Sequence, residues 1–250
     1  MPAPAALAAK TFLKSAVQGN KPMFLNVIRM IARTILHLIA RVDVTGYENI
    51  PETGGAIVAA NHLGRLDAML AVILSERKDF ILLIADKYEN SLVWGWLGRK
   101  LDAIWINRSD VDFRALRDVF KRLKQGEILG IAPEGTRSKS EALAQGKLGT
   151  AYLAAKTGVP VIPVAVWGTE DRVVSARLKR LKRLDITIRI GEPFFVPALD
   201  RGNRDASLTA GTELIMCHIA RLLPPQYHGY YADHPCLQEP EVAADPAVAP

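Results

Sequence analysis

The sequence predicts an α/β fold in which a mostly parallel sheet is flanked by helices. Short apolar runs of strand length alternate along the chain with longer segments of helical spacing, and this alternation is typical of parallel sheets with helices on both faces. Several apolar runs end at polar residues, which places those residues at the sheet edge where open α/β folds bind ligands. The 250 residues suit one such domain with small extensions.

The predicted elements follow one another with short connections. Buried or alternating runs predict strands at residues 42–46, 56–60, 80–85, 103–106, 127–132, 161–166 and 185–191. Apolar residues at helical spacing predict helices at residues 23–40, 68–74, 112–124, 147–157 and 207–223. Gly126 and Gly158 follow two of these helices and are expected to end them. The strand at 42–46 alternates in polarity and is expected at an edge of the sheet.

The first polar turn follows the apolar run at residues 56–60 and contains Asn61, His62 and Asp67. Residues five apart on an ideal helix diverge by about 140°. His62 and Asp67 can therefore meet only if His62 lies in the turn and Asp67 lies within the helix. In that arrangement the carboxylate accepts the imidazole N–H and leaves the other ring nitrogen free as a general base. Taken alone, the spacing also fits a strand-end histidine and an unrelated helix-start acid.

The second polar turn occupies residues 133–138 and again follows an apolar strand. It places Gly135 between an acid, Glu134, and the planar guanidinium of Arg137, with Thr136 alongside. Glycine allows the backbone to approach a ligand closely, and arginine suits phosphate or carboxylate groups. Taken alone, this turn is equally well interpreted as an anion-binding loop or as a simple polar turn.

Together with residues 104–108 and 159–164, the two turns resemble the four ordered sequence blocks of the glycerolipid acyltransferases. The similarity covers about residues 40–195 and is greatest to the bacterial 1-acyl-glycerol-3-phosphate acyltransferases. The sequence departs from the usual family pattern at Gly64, where serine is common, and at Ala132, where phenylalanine is usual. Neither departure removes an acid–base group, but both affect the expected shape of the acceptor pocket.

The resemblance implies acyl transfer from a thioester to a hydroxyl, with His62 as general base and Asp67 orienting it. It implies direct attack by the acceptor, and the sequence has no G-x-S-x-G nucleophile motif. Backbone N–H groups near Gly135 are candidate oxyanion donors. Glu134 is expected to orient Arg137 or to bind the glycerol hydroxyl. The residues expected to bind substrate are Arg108, Glu134, Gly135, Thr136 and Arg137.

The resemblance also sets the expected partners. The acyl donor is acyl-coenzyme A or acyl carrier protein, which is a substrate, so no cofactor and no metal are expected. The acceptor is lysophosphatidic acid or a similar lysolipid. Two alternatives remain open, namely an acyltransferase for another membrane lipid and a non-catalytic lipid-binding protein. Nucleic-acid binding is not expected, because only the basic charge favours it.

The N-terminal part is expected to bind a membrane surface. The helix at residues 23–40 is apolar, but basic residues recur at four-residue steps, namely Arg29, Arg33, His37 and Arg41. Charged residues make membrane spanning costly, so the pattern favours a helix lying among anionic headgroups. Packing against the core with a solvated basic face is the alternative. The expected location is the cytoplasmic face of the membrane, peripheral or monotopic.

Three segments follow from these patterns. Residues 1–41 are the membrane-association segment, residues 42–225 form the acyltransferase domain, and residues 226–250 form a C-terminal tail whose acidic end, from about residue 233, is expected to be disordered. The net charge is +6, and a basic body suits an anionic partner. Cys217 and Cys236 have no spacing that indicates a bridge, which favours a reducing compartment or carries no information.

Overall fold

The computed structural model describes residues 21–74, 76–107 and 112–238. Its strands are β1 (Ala40–Thr45), β2 (Ala56–Ala60), β3 (Phe80–Ile81), β4 (Leu83–Ala85), β5 (Ile104–Ile106), β6 (Ile128–Ile131), β7 (Val161–Trp167) and β8 (Leu184–Ile190). Its helices are α1 (Lys21–Ile39), α2 (Arg65–Leu74), α3 (Leu92–Lys100), α4 (Phe113–Lys124), α5 (Leu148–Thr157), α6 (Asp171–Lys179) and α7 (Arg204–Leu222). The predicted α/β class is confirmed.

The described strands form a six-stranded sheet in the order β1-β8-β7-β2-β6-β3, beside a separate pair of β4 and β5. All neighbours in the main sheet are parallel except β7 and β8. The predicted edge strand, β1, does lie at an edge. Because β7, β2 and β6 are adjacent and parallel, the turns that follow them meet at one edge of the sheet.

Both faces of this sheet are buried. On β2, Ile57 and Ala59 belong to the core cluster on one face, while Ala56 belongs to the cluster on the other. Helices α4, α5 and α7 contribute to the first cluster, and α1 and α2 contribute to the second. Because successive strand residues point to opposite faces, strands covered on both sides are apolar at nearly every position. This explains the unbroken apolar runs in the sequence.

One predicted strand is divided in two. Residues 80–85 were expected to form a single strand, but β3 joins the main sheet and β4 pairs with β5. The chain changes sheets at Leu82, whose carbonyl accepts the N–H of Ile104 at 2.8 Å. The apolar pattern is continuous across this point, so it does not reveal that the hydrogen-bond partner changes.

Local capping fixes the predicted helices. The side chain of Asp112 accepts the N–H groups of Arg114 and Ala115 and so caps α4. Gly158 ends α5 in the left-handed conformation, with φ of 66°, which glycine adopts without a steric cost. Both helix boundaries agree with the prediction to within one residue.

Helix α1 directs the first two arginines of its basic stripe toward the domain. Arg29 is only 5% exposed, and Arg33 Nε donates to the carbonyl of Ile73, at the end of α2, at 2.8 Å. These arginines therefore face the domain. The side facing away carries large exposed apolar residues, namely Val27, Met30, Ile31, Ile35 and Leu38, within an arc of about 140° at about 100° per residue.

Within the described residues, no helix combines the length and the apolar character needed to cross a bilayer.

The C-terminal segment, residues 224–238, packs against the domain, contrary to the expectation that order is lost from about residue 233. It forms three short 3₁₀ turns, Pro225–Tyr227, Gly229–Tyr231 and Pro235–Leu237, and Tyr231 is fully buried. Residues 239–250 lie outside the described part of the chain. The segment is held in place by contacts with residues far away in sequence, which its composition does not show.

The structure joins Cys217 and Cys236 in a disulfide, which corrects the interpretation that these cysteines are not bridged. Cys217 lies on α7, and Cys236 lies in the last 3₁₀ turn. The C-terminal segment folds back along α7 and brings the two sulfur atoms together. A sequence separation of 19 residues does not reveal this return of the chain.

Candidate active site

The turn after β2 brings His62 and Asp67 into contact. His62 lies between β2 and α2, and Asp67 lies in the first turn of α2. The distance from His62 Nδ1 to Asp67 Oδ2 is 3.1 Å, and both side chains are mostly buried. The helix begins only after His62, so the two side chains do not diverge as they would at a five-residue offset within one helix.

Hydrogen bonds around Asp67 fix the direction of this contact. Asp67 Oδ2 also accepts the backbone N–H groups of Leu63 at 2.7 Å and Gly64 at 2.8 Å. A carboxylate oxygen that accepts two N–H groups is the acceptor toward the imidazole as well. The proton therefore lies on His62 Nδ1, and Nε2 carries the lone pair that a general base requires.

The second turn, after β6, holds the backbone of His62 from both sides. Glu134 Oε1 accepts the His62 N–H at 2.9 Å, and Ser138 N–H donates to the His62 carbonyl at 2.8 Å. The other oxygen of Glu134 accepts the N–H of Ala144 at 2.8 Å. Glu134 was expected to orient Arg137 or to bind the glycerol hydroxyl of the substrate. In the structure, each of its two oxygens instead accepts a backbone N–H.

Glu134 is buried, at 2% exposure. Burial raises the pKa of its carboxyl above the ordinary value, and the hydrogen bonds from Ala144 and His62 oppose that rise. A buried carboxylate is costly unless it is hydrogen-bonded, and here each oxygen receives a backbone N–H. Glu134 thus joins three segments of chain, namely its own turn, the His62 turn and the loop around Ala144.

The rest of the second turn is exposed. Gly135 has φ of 72°, and its N–H donates to the carbonyl of Ala132 at 2.9 Å, so this N–H is not available as an oxyanion donor. Thr136 is exposed. Arg137 pairs with Asp171 through Nη1 and Oδ2 at 2.9 Å, which gives Asp171 the orienting role expected of Glu134.

Arg108 lies outside the described residues. Asn107, which precedes it at the end of β5, is exposed, and its N–H donates to Asp112 Oδ2 at 3.3 Å. The placement of Arg108 relative to the His62 turn therefore stays a prediction.

The turn after β7 supplies residues that sequence reasoning missed. Asp171 begins α6, and its Oδ1 accepts the N–H of Arg65 at 3.0 Å. Next to it, Glu170 is 3% exposed and accepts the hydroxyl of Tyr227 at 2.6 Å. Burial raises the pKa of the Tyr227 hydroxyl, and the hydrogen bond to Glu170 raises it further. The sequence signal for these residues was the pair of acids, Glu170 and Asp171, just after an apolar strand.

The side chain of Asn61 ties the first turn to β7. Its Nδ2 donates to the Val166 carbonyl at 2.8 Å, and its Oδ1 accepts the Val166 N–H at 2.7 Å. Asn61 is 1% exposed. The amide therefore replaces a backbone pair where the β2–β7 ladder ends, and it fixes the point from which His62 emerges.

The glycine at position 64 is required by a close approach of two turns. A Cβ atom there would lie 1.9 Å from the carbonyl oxygen of Thr169, well inside van der Waals contact. The departure from the serine common in similar sequences thus has a steric cause, namely the position of the turn after β7.

Comparison with known proteins identifies the family of the chain. A family model described as Acyltransferase matches residues 41–167, a range that contains both turns and the strands that deliver them. The chain belongs to the acyltransferase family. This confirms the family indicated by the sequence blocks.

Three relatives of this acyltransferase each share 28% identity with it. They include the 1-acyl-sn-glycerol-3-phosphate acyltransferase of Bacillus subtilis, over 64% of this chain and 77% of that protein, and that of Borreliella burgdorferi, over 52% and 53%. A chloroplast enzyme of the same name from Brassica napus matches over 68% of this chain and 49% of its own length. The chain spans about half the length of the last two.

A solved structure shares the fold. The 1-acyl-sn-glycerophosphate acyltransferase PlsC from Thermotoga maritima aligns with a TM-score of 0.59 and 26% identity, over 79% of this chain and 82% of that chain. The match supports the mostly parallel sheet with flanking helices as the shared fold of this acyltransferase.

Proposed function

We propose that this acyltransferase moves a fatty acyl group from acyl-coenzyme A or acyl carrier protein to the free hydroxyl of 1-acyl-glycerol-3-phosphate, giving phosphatidic acid. The observation that carries the proposal is the His62–Asp67 contact of 3.1 Å, with the basic nitrogen left free. The names of the relatives support the choice of acceptor. The donor is a substrate, so the reaction needs no bound cofactor.

The chemistry begins with the acceptor hydroxyl, which is a weak nucleophile at neutral pH. His62 Nε2 takes its proton while the oxygen attacks the thioester carbonyl, and Asp67 stabilises the imidazolium that forms. The tetrahedral intermediate then collapses, the C–S bond breaks, and the imidazolium returns the proton to the departing sulfur. The products are an ester and a free thiol, and His62 is regenerated.

Arg137 is the proposed contact for the acceptor phosphate, with Arg108 as a second. The guanidinium of Arg137 is half-exposed on the turn that also holds His62, and Asp171 orients it. A guanidinium both neutralises and orients a phosphate through paired hydrogen bonds. Glu134 acts in this scheme as a positioning residue for His62, and Gly135 allows the turn its left-handed conformation.

The N-terminal segment, residues 1–41, is proposed to hold the enzyme on the membrane as a peripheral or monotopic protein of the cytoplasmic face. Support comes from the exposed apolar side of α1, where Met30 is 63% and Leu38 is 69% exposed. An apolar helix face of this kind inserts into the headgroup boundary. Arg33 attaches the helix to the domain through the Ile73 carbonyl, and Arg29 is buried on the same side. The apolar side is therefore left to contact the lipid and bring the site to its substrate.

The first experiment measures acyl transfer from oleoyl-coenzyme A to lysophosphatidic acid by the wild type and by His62→Ala. Phosphatidic acid from the wild type alone supports both the reaction and the base. Equal product from both proteins contradicts the role of His62. If neither protein forms product with oleoyl-coenzyme A, the assay is repeated with acyl carrier protein as the donor. No product with either donor contradicts lysophosphatidic acid as the acceptor. A panel of other lysolipids then identifies the acceptor.

Membrane binding is measured separately, by sedimentation with vesicles that contain anionic lipid. Leu38→Ser and Met30→Ser are expected to reduce the bound fraction, because each removes apolar area from the contact. Phe195→Ser is the control, since Phe195 is 64% exposed but lies outside α1. Equal binding by all variants would contradict the proposed contact surface.

A further inference from the structure

A second cluster of chemically reactive side chains lies between α7 and the C-terminal segment. We call Cys217, His234 and Cys236 the Cys–His cluster. One potential ligand atom from each lies within 4.8 Å of the other two. Cys217 is buried and the other two are partly buried. Neither the acyl-transfer scheme nor the acceptor site uses these residues.

The imidazole of His234 has a defined tautomer. Its Nδ1 lies 3.4 Å from Cys217 Sγ and 3.3 Å from the backbone N of Cys236, which donates to it. Nδ1 is therefore the unprotonated nitrogen, and the ring proton is on Nε2, which faces Glu213 Oε2 at 3.6 Å. The Nδ1 lone pair thus accepts the Cys236 N–H, with Cys217 Sγ close beside it.

In the disulfide form the sulfur atoms carry no proton to donate, so the 3.4 Å approach of Cys217 Sγ to Nδ1 is not a hydrogen bond. Two thiolates and one neutral imidazole, in contrast, are a preferred ligand set for zinc, with three protein ligands and one open position. Histidines that bind a metal usually donate their second N–H to a carboxylate. Glu213 stands where such a carboxylate is needed, four residues before Cys217 on α7.

We propose that the reduced Cys–His cluster binds a zinc-type divalent cation through Cys217 Sγ, Cys236 Sγ and His234 Nδ1, and that the disulfide is its oxidised, metal-free form. A dithiol supplies the two electrons and two protons that convert the S–S bond to two thiols, and is itself oxidised to a disulfide. Metal binding then releases the two thiol protons to solvent.

The cross-link secures the C-terminal segment in either form. That segment supports the loop that binds Glu134, because the N–H of Leu143 donates to the Tyr227 carbonyl at 2.9 Å and the N–H of Gly146 donates to the Tyr231 hydroxyl at 3.1 Å. The cluster thus acts as a structural clamp outside the candidate active site. The proposal does not depend on the identity of the acyl acceptor.

The test uses the full chain, reduced with a dithiol and desalted without oxygen. Zinc content is measured by mass spectrometry, and Co²⁺ is added as a spectroscopic probe of thiolate ligation. About one metal ion per reduced chain, none per oxidised chain, and thiolate-to-cobalt absorption are the expected results. A reduced chain with two free thiols that binds neither ion overturns the proposal.

Variants separate this site from adventitious binding. Cys217→Ser and His234→Ala are expected to lose the metal, whereas His228→Ala, a histidine of the same segment outside the cluster, retains it. Glu213→Gln keeps all three ligands and is expected to weaken the affinity about 10–100-fold. If the cysteine variant does not fold, the Glu213→Gln affinity still decides: an affinity equal to that of the wild type contradicts the assigned geometry.

Discussion

Glu134 Oε1 accepts the backbone N–H of His62 at 2.9 Å, across 72 positions of sequence. The contact joins the turn after β6 to the turn after β2, and it acts on the main chain of the proposed base rather than on its ring. The second oxygen of Glu134 accepts the Ala144 N–H. This contact holds the carboxylate in place, so that it can position His62. The two conspicuous turns of the sequence are therefore parts of one site.

Glu134→Gln is expected to lower kcat about 10–100-fold with little change in the acceptor KM. Glutamine has one acceptor oxygen, so either the His62 or the Ala144 N–H loses its partner, and a small displacement of a catalytic group is costly. Glu141→Gln is the matched control, because Glu141 lies on the same loop and pairs with Arg172 instead. A higher KM with unchanged kcat would instead assign Glu134 to the acceptor.

Asp67→Asn is expected to lower kcat about 10²–10⁴-fold. Asp67 Oδ1 is buried and has no hydrogen-bond partner among the described residues, so the amide nitrogen can occupy that place while the other oxygen keeps its contacts. The substitution removes mainly the negative charge that stabilises the imidazolium. Steady-state kinetics test this, with thermal unfolding as a check of the fold, and near-normal kcat would exclude the charge effect.

Arg137→Ala is expected to raise the acceptor KM about 10–100-fold, the loss of a charge-assisted hydrogen bond worth about 1.5–3 kcal/mol. The donor KM should stay the same. Arg172→Ala is the control, since Arg172 is an exposed arginine nearby that pairs with Glu141. An unchanged acceptor KM in Arg137→Ala would move the phosphate contact to another residue.

Gly64→Ala is expected to destabilise the protein by about 1–3 kcal/mol and to reduce activity, because the new methyl group overlaps the Thr169 carbonyl. Gly149→Ala is the control. Gly149 lies within α5, and a Cβ atom there meets nothing within 4 Å, so alanine should stabilise the helix by about 0.5–1 kcal/mol. Urea unfolding measures both changes, and equal effects would contradict the steric explanation.

Tyr231 predicts a loss of stability at alkaline pH. Burial raises its pKa from 10.0 to about 12, so the folded protein holds the phenolic proton more tightly than the unfolded chain does. The stabilisation is complete below pH 10.0 and is lost as the pH rises toward about 12. Tyr231→Phe removes this titration.

At neutral pH, Tyr231→Phe also leaves the Gly146 N–H without its acceptor, at a cost of about 1–3 kcal/mol. The stability difference between the two proteins should therefore shrink as the pH rises. Urea unfolding at neutral and alkaline pH measures it, with Tyr230→Phe as a control for a tyrosine that is 59% exposed. A constant difference would contradict the prediction.

Much of the fold follows from local signals. Apolar runs predicted the main strands because strands buried on both faces are apolar throughout. Asp112 begins α4 and Gly158 ends α5 through capping that depends on neighbouring residues only. The division of residues 80–85 between two sheets was not predictable in this way. Their apolar pattern is the same whichever strand they pair with.

The sequence by itself determined the class of the fold, most of its main strands and helices and the His62–Asp67 pair, because each depends on spacing within one segment. It did not predict α3, α6 or the division between β3 and β4. The tertiary structure decided which residues from distant segments meet: Glu134 with the His62 backbone, Asp171 with Arg137, and Cys217 with Cys236. It also decided which side of α1 faces the domain. Such contacts depend on how the chain returns to the sheet edge and to α7, and spacing along a single sequence carries no information about that return.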